Sequence, residues 1–247
     1  KYLDADAALA HARALAKDAD ILDLGAASSN PDAKAVPPEA EIARLAPVVA
    51  ALKQDGAQIS IDTFATPVQR WALAQGVNYL NDIQGFADEA FYPELAASPA
   101  RLIVMHSVQG RGQATRIDVP PAGILPRIHR FFEQRFAALT KAGVAQDRLI
   151  LDPGMGFFLG TDPETSFTVL RAIPELKAAF GVPLLVSVSR KSFLRKITGR
   201  APGDTGSASL AAEIFAALQG ADMIRTHEPA AVKDGLAVWR RLAGNKP

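Results

Sequence analysis

The sequence predicts an α/β protein, a TIM-type (β/α)8 barrel formed by one domain over residues 1–247. Seven short apolar runs rich in β-branched residues alternate with longer stretches of helical periodicity. This alternation is typical of βα units around a parallel sheet. The 247 residues fit one barrel, since such barrels have about 250. Polar residues follow every one of the seven runs.

The predicted strands cover residues 21–24, 59–62, 77–82, 102–106, 149–152, 184–189 and 223–227. Apolar residues three and four positions apart predict helices between them, as at Leu9, Ala12, Leu15 and Ala16, at Ile42, Leu45, Val49 and Leu52, and at Ile128, Phe132, Phe136 and Leu139. Pro38 and Pro163 lie where first turns are expected, and Gly143 and Gly220 lie where helices should end.

The number of strands is one short of a complete barrel. The chain opens at Lys1 directly in a helical pattern, with no strand before it. We therefore expect a (β/α)8 barrel whose first strand and first loop are absent from the printed sequence. A complete doubly wound sheet is the alternative, and it explains the count of seven less well.

Composition excludes several classes of protein. Lys and Arg number 27 against 26 Asp and Glu, a net charge of +1, which leaves no basic footprint for nucleic acid or an acidic membrane surface. No apolar run approaches the roughly 18 residues that span a bilayer. The chain has no cysteine, so disulfides, thiolate metal sites and cysteine nucleophiles are impossible. The cytoplasm is the expected location.

Polar residues at the carboxyl ends of the strands are the candidate functional groups, because barrel enzymes place their active sites there. These groups occur in Asp62-Thr63, Asn81-Asp82, Met105-His106-Ser107, Asp152-Pro153-Gly154, Ser189-Arg190-Lys191-Ser192 and Arg225-Thr226-His227. Taken singly, Asp62, Asn81 and Asp152 could be ordinary caps or turn formers. His106 lies inside an apolar run, which favours a structural role.

The cations at the last two strands are harder to explain as structural residues. Arg225 and His227 share one face of a strand with period two, so both would enter the barrel mouth, which is costly unless an anion meets them. The segment from Ser189 to Ser192 opens a predicted helix, whose free N–H groups favour anions. An ordinary capped helix with exposed bases is the alternative. A polar heterocycle with an anionic tail would match both the carboxylates and the cations.

Several motifs in order over essentially the whole chain resemble the dihydropteroate synthase family. They are Tyr2-Leu3-Asp4, Ile61-Asp62-Thr63, Asn81-Asp82-Ile83, Val104-Met105-His106, Leu151-Asp152-Pro153-Gly154, Ser189-Arg190-Lys191-Ser192 and Arg225-Thr226-His227. The resemblance implies a transferase that joins 6-hydroxymethyl-7,8-dihydropterin diphosphate to p-aminobenzoate in folate biosynthesis and releases pyrophosphate. It also implies Mg²⁺ and a homodimer.

The resemblance also implies roles for individual residues. The pterin pocket would comprise Asp62, Asn81, Asp152 and Lys191, with Gly156 beside them and Met105 and Phe157 as apolar walls. Arg225 would lie over the pterin ring and hold the diphosphate together with His227. Lys191, Arg225 and His227 would thus be the catalytic residues. Ser192 would take the p-aminobenzoate carboxylate, and Ser29 and Pro31 would border that site. The family's Asn ligand for the metal would lie in the missing first strand.

Two departures from the family pattern stand out. Asn30 occupies the place of a customary Arg, and Phe158 and Leu159 replace a common Gly-Lys pair. Both changes resemble sulfonamide-insensitive variants of the family, and we expect such insensitivity here. Two other functions stay open: methyl transfer from methyltetrahydrofolate to a corrinoid protein, and non-catalytic pterin binding. Methyl transfer does not need the cations at 189–192 or at Arg225 and His227, whereas non-catalytic binding is supported by the missing first loop.

Overall fold

The computed structural model describes residues 4–27, 34–109, 117, 119–201 and 203–244. The strands are β1 (Leu22–Leu24), β2 (Ile59–Asp62), β3 (Tyr79–Asp82), β4 (Arg101–Met105), β5 (Leu149–Asp152), β6 (Leu185–Val186) and β7 (Met223–Ile224). The α-helices are α1 (Ala5–Leu15), α2 (Pro38–Gln54), α3 (Thr66–Ala74), α4 (Tyr92–Ala97), α5 (Pro121–Lys141), α6 (Pro163–Arg171), α7 (Ile173–Phe180), α8 (Ser192–Thr198), α9 (Gly206–Leu218) and α10 (Pro229–Leu242). Short 3-10 helices cover Glu89–Phe91, Gln146–Arg148 and Gly156–Phe158.

The strands are parallel and follow one another in sequence order, as the predicted barrel requires. Strands β1 to β5 form one sheet and β6 pairs with β7. A single bridge between Leu151 and Leu184 joins the two sheets, and the Leu151 N–H donates to the Pro183 carbonyl at 2.9 Å. Within the described ranges no ladder joins β7 to β1.

The last two strands are shorter than the sequence predicts. The run 184–189 contains only the two residues of β6, and the run 223–227 only the two of β7. The backbone ladder between β6 and β7 ends because the Ser189 side chain, and not a backbone carbonyl, accepts from the His227 N–H, at 3.3 Å. Arg225 and His227 therefore lie beyond the strand, and the prediction that they share a strand face is wrong.

Alternation along the strands separates a helix-facing core from the barrel interior. Leu80, Leu102 and Leu151 belong to the large core that packs against the helices. Ile103 and Ile150, paired across β4 and β5, form a second cluster with Leu185. Two positions further along each strand, the interior face carries polar side chains, because every second residue of a strand lies on the same face.

Helix limits agree with the proline and glycine signals. Pro38 and Pro163 are the first residues of α2 and α6. Asp162 caps α6 by accepting from the Glu164 N–H at 2.9 Å. Gly143, after α5, has the positive φ that glycine tolerates readily. No described helix combines the length and apolar character needed to cross a membrane.

The turn after β5 requires glycine at position 154. Gly154 has φ +75°, and a Cβ there would lie 2.4 Å from the His106 carbonyl oxygen. The neighbouring strand ends are held together, since the His106 N–H donates to the Asp152 carbonyl at 2.9 Å. The backbone therefore has no freedom to move away from an added methyl group.

We expect Gly154→Ala to lower the free energy of unfolding by roughly 2–5 kcal/mol, from the left-handed backbone plus overpacking. Gly181→Ala is the matched control, because Gly181 has φ +62° with open space around it and should lose only about 1–2 kcal/mol. Urea denaturation followed by circular dichroism measures both. Equal losses in the two variants would contradict the close approach at Gly154.

Candidate active site

Arg225, just after β7, is held by carboxylates from two other strands. Its Nε lies 2.7 Å from Asp23 Oδ2 on β1, and its Nη2 donates to Asp62 Oδ2 on β2 at 2.6 Å. Burial alone would lower the pKa of Arg225, but the Asp23 and Asp62 carboxylates outweigh it and raise that pKa. The guanidinium is therefore a fixed positive charge at the carboxyl end of the barrel.

Asn81 and Asp152 add hydrogen-bonding groups to the same end. Register pairs Asp62 with Asn81 and Met105 with Asp152. Asn81 is 1% exposed; its Nδ2 donates to Asp23 Oδ2 at 3.1 Å. Asp152 Oδ1 accepts from the Gly154 N–H at 2.8 Å.

Two buried acceptors at this end are left without a protein partner. They are Asn81 Oδ1 and Asp23 Oδ1, each buried with no hydrogen-bond donor among the described residues. Because an unsatisfied buried acceptor costs free energy, such atoms in a native structure indicate a place where a ligand or water donates.

Lys191 adds a second cation, which loses its proton more readily than Arg225 does. Burial lowers the pKa of Lys191 to about 8, Arg225 adds to that effect, and Asp152 opposes it. Burial also raises the pKa of Asp152 to about 6. The lysine is cationic and the aspartate is ionised together only between about pH 6 and 8.

An apolar wall faces these charges. Ile83, Met105 and Phe158 form a buried cluster, and the half-buried Phe64 and Phe157 pack against it. The Lys191 Nζ lies 5.4 Å from the centroid of the Phe158 ring, a cation–π arrangement. A flat ring could therefore contact this wall on one side and the charged groups on another.

Gly156 and Ser192 meet where the turn after β5 approaches the start of α8. A Cβ on Gly156 would lie 3.3 Å from Ser192 Oγ and 3.5 Å from Lys191 Cβ. Ser192 is the first residue of α8, a helix of seven residues. Ser29, Asn30 and Pro31 lie outside the described residues.

Two histidines predicted at strand ends have different surroundings. His227 Nδ1 lies 3.0 Å from Ser189 Oγ. Burial and the cations Arg190, Arg225 and Lys191 lower the pKa of His227 to about 4. His106 is fully buried, its Nδ1 is 3.2 Å from the Pro153 carbonyl, and burial lowers its pKa to about 4. His106 thus braces the turn that carries Asp152, whereas His227 keeps its Nε2 edge for a ligand.

Sequence reasoning missed Asp23 as a site residue. It lies on β1 and contacts both Arg225 and Asn81. The available signal was an aspartate between Leu22 and Leu24, inside a predicted apolar strand.

A cavity of about 560 Å³ lies beside this cluster rather than within it. It is formed by the segments after β2 and β3, with Phe64, Gln69, Asp82, Asp88 and Glu89 among its lining residues. Phe64 separates it from the apolar wall, since it contacts both. The charged residues Asp62, Asp152, Lys191 and Arg225 do not line it.

The described part of the chain offers no cluster of metal-ligating side chains. Among its residues, no group of three or more His, Asp or Glu side chains is placed to hold a metal ion. The Mg²⁺ implied by the resemblance therefore stays a prediction, and we assign it no ligand here.

Comparison with known proteins identifies the family. The family model described as "Pterin binding enzyme" matches residues 1–227. The Escherichia coli dihydropteroate synthase type-2 is 59% identical over 98% of this chain and 89% of its own length. The chain belongs to the dihydropteroate synthase family. The Escherichia coli type-3 enzyme is 48% identical, over 98% of this chain and 92% of its own.

Solved structures of the family share the fold. Dihydropteroate synthase from Xanthomonas albilineans, solved with 4-aminobenzoic acid, has a TM-score of 0.88 and 35% identity, covering 98% of this chain and 86% of its own. The same organism's enzyme in complex with 7,8-dihydropteroate has a TM-score of 0.83 and 32% identity, covering 98% and 89%. The predicted barrel and family are confirmed by these matches.

We expect Asp23→Asn to lower the free energy of unfolding by about 1–2 kcal/mol, because it removes one charge-assisted bond from a cation that is one-third exposed. Asp55→Asn is the control: Asp55 makes the same kind of bonds to Arg13, at 2.7 and 3.0 Å, on the open surface, and should show no measurable change. Denaturant unfolding compares them; an unchanged Asp23→Asn variant would contradict the anchoring of Arg225.

Proposed function

We propose that this chain condenses 6-hydroxymethyl-7,8-dihydropterin diphosphate with p-aminobenzoate, giving 7,8-dihydropteroate and pyrophosphate. The observation that carries the proposal is the cluster of Arg225 and Lys191 with Asp62, Asn81 and Asp152 at the carboxyl end of the barrel. Family membership supports it, as does the relative solved with 7,8-dihydropteroate. The cations at the last two strands favour this reaction over methyl transfer to a corrinoid.

The acceptors suit the pterin ring. Its amino group and adjacent ring N–H are parallel donors, which one carboxylate can accept together. Asp152 offers that carboxylate, and Asn81 Oδ1 offers a buried acceptor that no described residue uses. Met105 and Phe157 would contact the ring faces and edges from the apolar wall, and Gly156 would leave room beside Lys191.

The cations suit the departure of pyrophosphate. The bond between the pterin methylene carbon and the diphosphate oxygen breaks, and its electron pair leaves on the diphosphate. Arg225 and His227 would bind that negative charge as it develops, which lowers the barrier more than ground-state binding does. Arg225 is anchored by Asp23, so it can donate to the diphosphate when Asp62 turns to the pterin.

The second half of the reaction joins the arylamine to the pterin. The p-aminobenzoate nitrogen attacks the methylene cation, forms the new C–N bond and releases one proton. We place the p-aminobenzoate carboxylate at Ser192, next to Lys191 and Gly156. Ser29 and Pro31 would border the same ring. Mg²⁺ stays a prediction of the resemblance, and no step is assigned to it.

A homodimer is also proposed. Apolar side chains stand exposed on α9 and α10, namely Phe215, Leu218, Val238, Trp239 and Leu242. A second copy of the chain is the occupant we expect, since apolar patches of this kind are typical of subunit contacts. The cytoplasmic location likewise stays a prediction.

Pyrophosphate release tests the main proposal. We expect release from pterin diphosphate with Mg²⁺ to depend on added p-aminobenzoate, with kcat/KM for the pterin rising through about pH 6 and falling through about pH 8. The acid limb follows because Asp152 must lose its proton to accept the ring donors, and the basic limb because Lys191 must keep its charge.

The Asp152→Asn variant tests whether Asp152 causes the acid limb of the pH profile of kcat/KM. It should lose the acid limb and lower kcat/KM by about 10- to 100-fold, the effect expected for hydrogen bonds to a charged group. Glu175→Gln, on the exposed face of α7, is the control and should behave like the parent. Dihydropterin binding without release would contradict the proposal and favour a non-catalytic pterin-binding module.

Sulfonamide insensitivity is the finer part of the proposal. Of the residues that differ from the family pattern, Phe158 contacts the site. It packs against Met105, and Lys191 lies over its ring. Leu159 instead lies in the main core. A large ring at 158 narrows the space beside Lys191, which would discriminate between p-aminobenzoate and a bulkier analogue.

We expect sulfamethoxazole to inhibit this chain far more weakly than an ordinary family member, at equal p-aminobenzoate saturation. The ratio of Ki to the KM for p-aminobenzoate is the measurement. Phe158→Leu, which shortens the side chain while keeping it apolar, should lower that ratio. Inhibition as strong as that of an ordinary family member would contradict the expected sulfonamide insensitivity.

A further inference from the structure

A chain of buried polar side chains lies behind the ends of β2 and β3, and the reaction described above does not use it. Its members are Glu41 on α2, Thr63 directly after β2, Gln69 on α3 and Asp82 at the end of β3. All four are buried. Because buried polar groups are costly unless hydrogen bonds satisfy them, their partners show what this chain of residues holds in place.

Asp82 accepts hydrogen bonds on both carboxyl oxygens. Its Oδ1 accepts from the Gln84 N–H at 2.7 Å, and its Oδ2 accepts from the Phe86 N–H at 3.1 Å and from Gln69 Nε2 at 2.8 Å. All three partners are N–H donors, which favours the ionised carboxylate. Burial raises the pKa of Asp82 to about 6, so the group is ionised at pH 7.5.

Gln69 joins this carboxylate to the end of the neighbouring strand. Besides the bond to Asp82, its Nε2 donates to the Thr63 carbonyl oxygen at 3.0 Å. An amide nitrogen carries two hydrogens, so each bond has its own. A carbonyl and an ionised carboxylate can only accept, and the opposite orientation of the amide would place its oxygen against both. The surroundings therefore require the nitrogen to face Thr63 and Asp82. These three residues are called the amide clamp below.

Every polar group of Thr63 has a partner. Its N–H donates to the Asn81 carbonyl at 3.0 Å, and its carbonyl accepts from Gln69. Its hydroxyl donates to Glu41 Oε2 at 3.1 Å and accepts from the Ala65 N–H at 3.2 Å. The backbone ladder between β2 and β3 thus reaches Thr63, and just beyond it the Gln69 side chain links the two strand ends.

The residues of the clamp alternate with residues that belong to the pterin pocket. Asp62 precedes Thr63 and Asn81 precedes Asp82, and successive side chains of a strand lie on opposite faces. Thr63 and Asp82 contact the helices, whereas Asp62 and Asn81 face the barrel interior, where the charged cluster lies. Register pairs Asp62 with Asn81. Bonds that hold Thr63 against Asp82 therefore also fix the distance between Asp62 and Asn81.

We propose that Gln69 is a positioning residue that sets the spacing of Asp62 and Asn81 for the pterin ring. Its amide acts from the helix side of the sheet and does not contact the ligand. The effect on pterin binding rests on the proposed function, whereas the two bonds of the amide are a property of the free protein. Ser192 lies on α8, which follows β6, so the clamp should not affect p-aminobenzoate.

The first test is proton–nitrogen NMR of the side-chain amides in the free protein at pH 7.5. We expect both Nε2 hydrogens of Gln69 to be protected from exchange with solvent, because each is bonded to an acceptor on a buried residue. The Gln69→Met variant assigns this pair of signals by removing it. Gln54, exposed at the end of α2, is the unprotected reference in the same spectrum. Exchange of the Gln69 amide as fast as that of Gln54 would overturn the proposal.

The second test is the steady-state kinetics of Gln69→Met, which keeps nearly the size of the side chain and removes both donors. We expect the KM for pterin diphosphate to rise about 10-fold, because misplaced binding groups weaken every bond they make. The kcat and the KM for p-aminobenzoate should stay unchanged. A merely structural role would lower the amount of folded enzyme and leave both KM values as in the parent, which would overturn the proposal. Gln69→Asn, too short to reach both acceptors, serves if Gln69→Met does not fold.

Arg148→Met is the matched control, because Arg148 also links two neighbouring strands by donating to carbonyls, at the opposite end of the sheet. It directly precedes β5, and its Nε donates to the carbonyl of Ala100, which directly precedes β4, at 2.9 Å. Its Nη2 donates to the Leu95 carbonyl at 2.8 Å. The variant should unfold at a lower urea concentration without a change in either KM. An equal rise in the KM for the pterin would contradict a local action of Gln69.

Direct binding separates this proposal from the proposed function. Calorimetric titration with pterin diphosphate and Mg²⁺, without p-aminobenzoate, gives the Kd of the parent and of Gln69→Met, and we expect the Kd to rise as the KM does. Equal Kd values would overturn the role of Gln69 and leave the proposed function standing. Absent binding in the parent would instead overturn the proposed function, and the NMR result would still decide whether the clamp exists.

Discussion

The ion pairs of Arg225 are the interaction on which the site depends. Three strands contribute to them, since Arg225 follows β7 while Asp23 and Asp62 lie on β1 and β2. Three aspartates at one end of a barrel would repel one another without a cation among them. Because the largely buried carboxylates of Asp23 and Asp62 must be paired, the guanidinium both neutralises this end and ties β7 to the far edge of the five-stranded sheet.

The same pairing prepares the site for its ligand. Asp23 and Asn81 hold one another and leave one acceptor each without a partner. Asp152 and Lys191 titrate close to neutrality, because burial moves both pKa values toward 7. Little free energy is therefore needed to change their protonation when a polar ring binds. The apolar wall around Met105 and Phe158 keeps water away from one side of that ring.

Helix α9 shows how residues behind the strands support the site. Ser209 on α9 accepts from the Arg190 N–H and so holds an unfavourable backbone conformation at Arg190. Strain of this kind persists only where surrounding bonds over-determine it. The position of Lys191, which follows Arg190 in the chain, thus depends on a helix that contributes no ligand-contacting group.

Periodicity and strand-end motifs sufficed to predict the fold, the family and most of the polar cluster, because alternation and helical spacing are local properties of the chain. The lengths of β6 and β7, the partners of Arg225 and the role of Asp23 were decided only by the tertiary structure. Asp23 is 39 positions from Asp62 and about 200 from Arg225 in the sequence, and no local rule pairs residues so far apart. Register and helix packing bring them together, since those depend on which faces meet when the barrel forms.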